Sequence, residues 1–380
     1  MFTIDAGLLA QVLVSLAAAL VMSFALTPVV KVFAQKVGAM DVPKDGRRMH
    51  DHPIPRLGGL AMFLGFLVST LLFSKVDTQV RGMLLGCVLV VITGVIDDIV
   101  PLKWWMKLVL QIAAALIPVF SGIRIEVFTN PLPFTGTEWF ILRELSIPIT
   151  VLWIVLVTNA VNLIDGLDGL AVGVSAIDSL AMLVIALLVS EGNVAIILAA
   201  LTGACVGFMP YNMNPAKIFA GDTGALLLGY VLATMSVIGL FKTDAIISFL
   251  LPFLLLALPL FDTGFAIIRR LLHGQSPMHP DRGHVHHRLI DMGLNQKQAV
   301  AILYCVSAVF GLSAVVLATS GGMKAILLIL AFLATGLLAG FVLRSGHREA
   351  EPPKAEENPD PAIRITLKGH KEESDGEPKS

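Results

Sequence analysis

Charge is scarce in this sequence. Asp, Glu, Lys and Arg make up 14% of its 380 residues, against about 25% in soluble domains. Apolar residues reach 56%, and the mean hydropathy is +0.82. A soluble protein of this composition would expose sticky surface everywhere, and disorder needs the opposite balance. The net charge is −1 with no basic stripe, which excludes nucleic acid as a partner. Cysteine is nearly absent too. Cys87, Cys205 and Cys305 are far apart, sit inside apolar runs and form no CxxC pair. That excludes a disulfide framework and a cysteine zinc site, and predicts small membrane-core residues instead. The class left is a polytopic protein whose first partner is the lipid bilayer.

What the sequence does have is long apolar runs. A bilayer core needs about 20 apolar residues per helix. Eleven runs qualify: 8–33, 57–74, 82–97, 105–121, 147–163, 169–190, 194–210, 223–241, 245–268, 299–319 and 322–343. Continuous runs without strict alternation select helices over a barrel, so the expected fold is an all-α polytopic membrane protein with about eleven transmembrane helices. The first run lacks a basic leader and a small-residue cleavage pattern, so it is read as a span rather than a cleaved signal. Eleven spans put the termini on opposite sides. One set of loops, with the C-terminal tail, holds 21 Lys and Arg residues against 6 in the other. The positive-inside rule then predicts an outside N-terminus and a cytoplasmic C-terminus. Residues 1–345 form the membrane unit. Residues 346–380 are charged, Pro-rich and without apolar period, as expected of a disordered tail. The outer loop 122–146 has room for a short hairpin or an interfacial piece. No internal repeat stands out, and no pair of broken helices suggests an inverted repeat.

The unusual polar residues fall in five segments at the predicted cytoplasmic face. Asp97 and Asp98 end the third run in GVIDDIVP. Adjacent carboxylates repel unless a cation lies near, and at a helix C-terminus they also oppose the dipole. Asn159, Asn162, Asp165 and Asp168 lie in NAVNLIDGLDGL, the first three spaced for one slowly rotating helical stripe. Polar groups at the edge of a span are costly and read as functional. Asp222, in FAGDTG at the start of the eighth run, is either the cap of that helix or a ligand where phosphate and metal gather. Asn212, Asn214 and Lys217 lie just upstream. The fourth segment, PDRGHVHHR, places His284, His286 and His287 within four positions, flanked by Arg282 and Arg288. Histidine at that density suggests metal or phosphate, and the arginines favour phosphate. The fifth, RRMHDHPIPRLGG, runs from Arg47 through His50 and His52 to Arg56 and Gly59, and its Pro55 and glycines predict a shaped turn. Acids, amides, histidines and arginines on one membrane face suit a metal-assisted reaction between a charged cytoplasmic substrate and a partner held in the lipid.

These segments resemble the polyprenyl-phosphate N-acetylhexosamine-1-phosphate transferase family. The resemblance covers about residues 10–345. It rests on Asp97-Asp98, NAVNLIDGLDGLA, FAGDTG and the histidine loop. That family includes the phospho-MurNAc-pentapeptide translocase and the enzymes that start teichoic acid, O-antigen and enterobacterial common antigen, the last a lipopolysaccharide-associated glycan. PDRGHVHHRL and PIPRLGGL are similar to the UDP-GlcNAc-type members, not to the translocase with its HHHFE and PTMGG segments. The resemblance implies a multi-pass enzyme of the bacterial inner membrane with a cytoplasmic-facing cleft. It would transfer GlcNAc-1-phosphate from UDP-GlcNAc to undecaprenyl phosphate, releasing UMP. A homodimer, and magnesium with manganese as a substitute, are part of the same expectation. By the same resemblance Asp222 is the leading magnesium ligand, with Asp98 in support. Asp97 is the base or lipid-phosphate positioner. Asn159, Asn162, Asp165, Asp168 and Asn212 line the nucleotide side, and Phe219 stacks on uracil. Arg282, His284, His286 and His287 meet the sugar and diphosphate, and Arg56 and Lys107 bind substrate. Two departures stand out. Pro101 occupies the last position of the family's DDxxD pattern, and Ala225 replaces a common Ser. The alternatives are another UDP-N-acetylhexosamine or UDP-MurNAc-pentapeptide as donor, or a transporter, which would carry its polar residues nearer the bilayer midplane. A CDP-alcohol phosphotransferase is excluded, because no AR pair follows Asp165-Gly166.

Overall fold

The computed structural model describes residues 5–43, 52–129, 139–239, 251–274, 283–318 and 334. The expected runs fold as helices: α1 (Ala6–Val37), α2 (Gly58–Phe73), α3 (Thr78–Ile99), α4 (Trp104–Phe120), α5 (Ser146–Ile164), α6 (Leu170–Leu188), α7 (Gly192–Asn212), α8 (Gly221–Gly239), α9 (Ala257–Leu272) and α11 (Gln296–Ala318). A short helix, α10 (Val285–Asp291), forms inside the histidine segment, where no helix was expected. Among the described residues, seven helices are long and apolar enough to cross a bilayer: α1, α3, α5 (with the turn before it), α6, α7, α8 and α11. The apolar α2 and α4 are shorter. The run 322–343, the tail and Arg282 lie outside the described residues, so the boundary at 345 does too.

Two short ladders qualify the all-helical expectation. β1 (Met40–Asp41) pairs antiparallel with β2 (Ile54–Pro55). β3 (Val127–Thr129) pairs antiparallel with β4 (Trp139–Ile141), the hairpin expected in the outer loop.

Burial is graded across the bundle. Every residue of α8 except Asp222 is buried, because α2, α3, α5 and α6 all pack on it. By contrast α1, which packs on α2 and α7, leaves Leu13, Val21, Val29 and Val32 exposed, as a lipid-facing helix does. Polar side chains inside the bundle hydrogen-bond across helices. Ser15 Oγ and Ser69 Oγ lie 2.9 Å apart, and Trp153 Nε1 donates to Ser236 Oγ at 3.0 Å. Such bonds tie helices together where no hydrophobic driving force separates lipid from protein. Cys87 and Cys205 are fully buried, and Cys305 is half-buried.

The helices matter for the site because several end at one level. α3 and α5 end there, and α4 and α8 begin there. The segment after β2 is stitched to the chain just before α8 by backbone bonds. Phe219 N–H donates to the Pro55 carbonyl at 2.8 Å, Gly58 N–H to Phe219 at 2.9 Å, and Gly59 N–H to Ala220 at 2.9 Å. PIPRLGG is thus the shaped turn expected, and it sets Arg56 and Phe219 side by side.

Candidate active site

The two adjacent acids of α3 have different partners. Asp98 is buried and faces the first turn of α8. Its Oδ1 accepts the Asp222 N–H at 3.0 Å, and its Oδ2 accepts the Thr223 N–H at 3.0 Å and hydroxyl at 2.7 Å. Arg56 Nη2 lies 3.3 Å from the same Oδ1. A carboxylate at a helix start satisfies orphan amides and meets the positive end of the dipole. The cap of α8 therefore comes from Asp98 on another helix, not from Asp222. Gly221 makes this approach possible: its φ is +69°, and a Cβ there would collide with the Asp98 carboxylate.

Asp97 turns the other way. Its Oδ1 accepts the Leu102 N–H at 2.6 Å, and its Oδ2 lies 2.7 Å from Lys107 Nζ. The same ammonium lies 2.9 Å from Asp222 Oδ2. Asn162 Nδ2 donates to the other oxygen, Asp222 Oδ1, at 2.6 Å. Lys107 thus bridges two carboxylates from different helices and offsets the repulsion between them.

Asp222 and Asn162 open into a cleft of about 430 Å³. Arg56, Asp165, Asp168, Asn212, Phe219 and His287 line it, together with Asp41, His52, Asn214 and Gln296. Asp165 is pushed up to about 7, by burial first and then by the negative charges of Asp222 and Asp98, with Arg56 pulling the other way. Burial alone would lower Arg56, but Asp98, Asp222, Asp41 and Asp165 together raise it, so it stays charged. Asp168 Oδ2 accepts the Asn214 amide and the Ala216 N–H, both at 2.9 Å. Asn212 is buried, donating Nδ2 to the Ile218 carbonyl at 3.1 Å, while its Oδ1 has no hydrogen-bond partner. Among the described residues that oxygen is a buried acceptor at the cleft wall.

Of the three histidines, only His287 lines the cleft. His284 and His286 are buried. His286 lies against Gly166, where any Cβ would meet its ring. Burial, then the neighbouring His287, holds the His286 imidazole down at about 4, so it is neutral at pH 7. Of the three residues expected to meet substrate, the structure thus brings His287 to the cleft and sets His284 and His286 behind it. Asn159 also lies away from the cleft. It exchanges amide bonds with buried Gln111, at 2.6 and 3.3 Å, and donates to the Val155 carbonyl at 2.8 Å. It locks α5 to α4 and does not line the cleft. Asp98, expected to support Asp222 at a metal, has two partners on each oxygen and stands behind the cleft, which Asp222 lines.

Four polar cleft-lining residues fell outside the sequence-based set of candidate site residues: Asp41, His52, Asn214 and Gln296. His52 and Asn214 lay within segments already singled out. Asp41 and Gln296 carried no signal, Asp41 being a single polar residue after the first run and Gln296 one of the ordinary polar residues of NQKQ. Asp262, behind the histidines, was hidden in the same way.

Comparison with known proteins shows the family. The profile described as glycosyl transferase family 4 matches residues 80–240. A Bacillus subtilis protein named a probable undecaprenyl-phosphate N-acetylglucosaminyl 1-phosphate transferase is 41% identical, over 81% of this chain and 85% of its own. A Mycolicibacterium smegmatis decaprenyl-phosphate N-acetylglucosaminephosphotransferase is 37% identical, over 77% and 78%. A Thermotoga maritima undecaprenyl-phosphate alpha-N-acetylglucosaminyl 1-phosphate transferase is 30% identical, over 77% and 86%.

Proposed function

The chain belongs to glycosyl transferase family 4, and we propose that it transfers GlcNAc-1-phosphate from UDP-GlcNAc to undecaprenyl phosphate. An oxygen of the lipid phosphomonoester attacks the sugar-bearing phosphorus, the phosphoanhydride bond breaks, and UMP leaves. The observation that carries this reading is the Asp97–Lys107–Asp222 bridge, set at the mouth of a polar cleft where helices from lipid end. Such transfer is mostly positioning and charge neutralisation. The lipid phosphate is largely ionised near neutral pH, so no strong base is required, and direct attack is the simpler route.

Each residue has a part in this scheme. Lys107 supplies positive charge where two anionic substrates meet, and Asp97 orients it. Asp98 holds Asp222 in place through the α8 backbone. Phe219 offers a ring to uracil. Asp165, Asp168 and Asn212 face the nucleotide, and Arg56, with His287, faces the diphosphate and sugar. Arg282, outside the described residues, keeps the diphosphate role that the resemblance implies.

Magnesium fits the chemistry of the donors. Among the described residues no three His, Cys, Asp or Glu side chains form a ready-made cage. Magnesium needs none, because it takes one or two carboxylates and completes its shell with water and substrate phosphates. Asp222 and Asp165, both hard oxygen donors lining the cleft, are the residues that would hold it, and manganese would accept the same set. When bound, the ion supplies charge neutralisation for the diphosphate and the leaving UMP. The same reading places the cleft at the cytoplasmic side of the bacterial inner membrane. It gives eleven spans, an outside N-terminus and an inside C-terminus.

The test is UMP release by purified protein in detergent with undecaprenyl phosphate and magnesium. UDP-GlcNAc, UDP-GalNAc and UDP-MurNAc-pentapeptide are compared in parallel. UMP from UDP-GlcNAc alone, dependent on lipid and metal, is the expected result. Turnover only with another donor overturns the donor assignment. Silence from folded protein with every donor overturns the reaction.

A further inference from the structure

The histidine wall depends on a residue outside every motif. Asp262 lies on α9 and is 4% exposed. Its Oδ2 is 2.8 Å from His284 Nδ1, and its Oδ1 accepts the Val285 N–H at 2.8 Å. Two turns further along the same face of α9, Arg269 Nη1 donates to the Gly283 carbonyl at 2.9 Å. A side chain at Gly283 would collide with that guanidinium. One helix therefore grips three consecutive residues, Gly283, His284 and Val285.

This grip falls where α10 begins. His284 is its N-cap by position, with extended backbone, but its own side chain makes no capping bond. The first amide of α10 is satisfied by Asp262 instead. From that point the rings follow in series. His284 and His286 stack with centroids 5.7 Å apart and planes within 9°, and His286 and His287 are 4.3 Å apart. A shift of His284 is passed through packed rings to His287 at the cleft. A carboxylate can only accept, so it also selects the tautomer of His284 with the hydrogen on Nδ1.

We propose that Asp262 is the positioning residue of the donor-binding histidine wall. Its carboxylate fixes the ring of His284 and the first turn of α10, and so sets where His287 meets the UDP-sugar. The proposal rests on the reading that the cleft takes a UDP-sugar.

Asp262→Asn is nearly isosteric, and it puts a donor where His284 needs an acceptor. The KM for UDP-GlcNAc is expected to rise about tenfold or more, the scale of one lost charge-assisted hydrogen bond. The KM for undecaprenyl phosphate is expected to hold, and kcat to change less than the donor KM. Combining Asp262→Asn with His284→Gln should raise the donor KM no further than His284→Gln alone, because both act through one contact. Multiplying effects, or a fall in kcat with the donor KM intact, would overturn the proposal. A second readout needs no substrate. Hydrogen–deuterium exchange of the peptide over 283–291 should quicken in Asp262→Ala and stay unchanged elsewhere. Unaltered exchange there also overturns it. If the wild-type protein releases no UMP, the proposed function fails, and the exchange measurement alone judges the clamp.

Discussion

The two walls of the cleft are built by opposite means. The acidic wall is made of helix ends. Asp97, Lys107, Asn162 and Asp222 stand on or beside the termini of four long helices, and Asp98 ties two of those helices together through backbone amides. The histidine wall is a seven-residue helix, too short to be stable by itself, held from behind by α9. Rigidity on the first side comes from packing in the bundle, and on the second from a few side-chain bonds. The first wall suits groups that must sit at a reacting centre. The second suits contacts to the variable part of a substrate.

Substitutions can break this comparison, and the largest effect belongs to Asp222. Asp222→Asn should lower turnover by about 100-fold or more, the scale of losing a preorganised charge at a reacting group, with little change in thermal stability. Near-normal UMP release in that variant would remove Asp222 from the chemistry. Asp98→Ala should show the reverse emphasis. It leaves two amides and Arg56 without their partner, so thermal unfolding in detergent should show a loss of about 3–5 kcal/mol. Intact stability would mean that the acidic wall is not held as described.

The smallest effect is a pH dependence of opposite sign on the two walls. Asp165, at about 7 in the folded protein, lies above its ordinary value. Its contribution to stability is full at low pH and is lost as pH rises through about 7. His286, at about 4, lies below its ordinary value. Its contribution is full above about 6.5 and is lost as pH falls towards 4. Thermal unfolding between pH 4 and 7 should therefore respond in opposite directions. Asp165→Asn should remove the decline on the alkaline side, and His286→Gln the decline on the acid side. Slopes unchanged by either variant would show that the walls do not titrate as their surroundings dictate.

Much of this was legible in the sequence. The apolar runs marked α1 to α8 and α11 to within about four residues, because burial in lipid demands about the same length everywhere, whereas α9 begins at Ala257 in a run read from 245. The polar segments at the run ends named Asp97, Asp98, Asp165, Asp168 and Asp222, because polar groups there are too costly to be idle. Roles were harder to read. Asp97 and Asp98 are neighbours on α3, yet successive helical positions point about 100° apart, so one meets Lys107 and the other meets α8. Asn159 shares a stripe with Asn162, yet the stripe rotates, and Gln111 captures the first while the cleft takes the second.

Composition and periodicity alone determined that the chain is a multi-pass helical membrane protein with its polar chemistry at one face. That conclusion follows from the cost of charge in hydrocarbon, which acts on each segment separately. Only the tertiary structure decided which acid caps α8, which histidine reaches the cleft and that Asp262 stands behind it. Those choices depend on contacts between residues up to 125 positions apart, and no local pattern in the sequence carries such contacts.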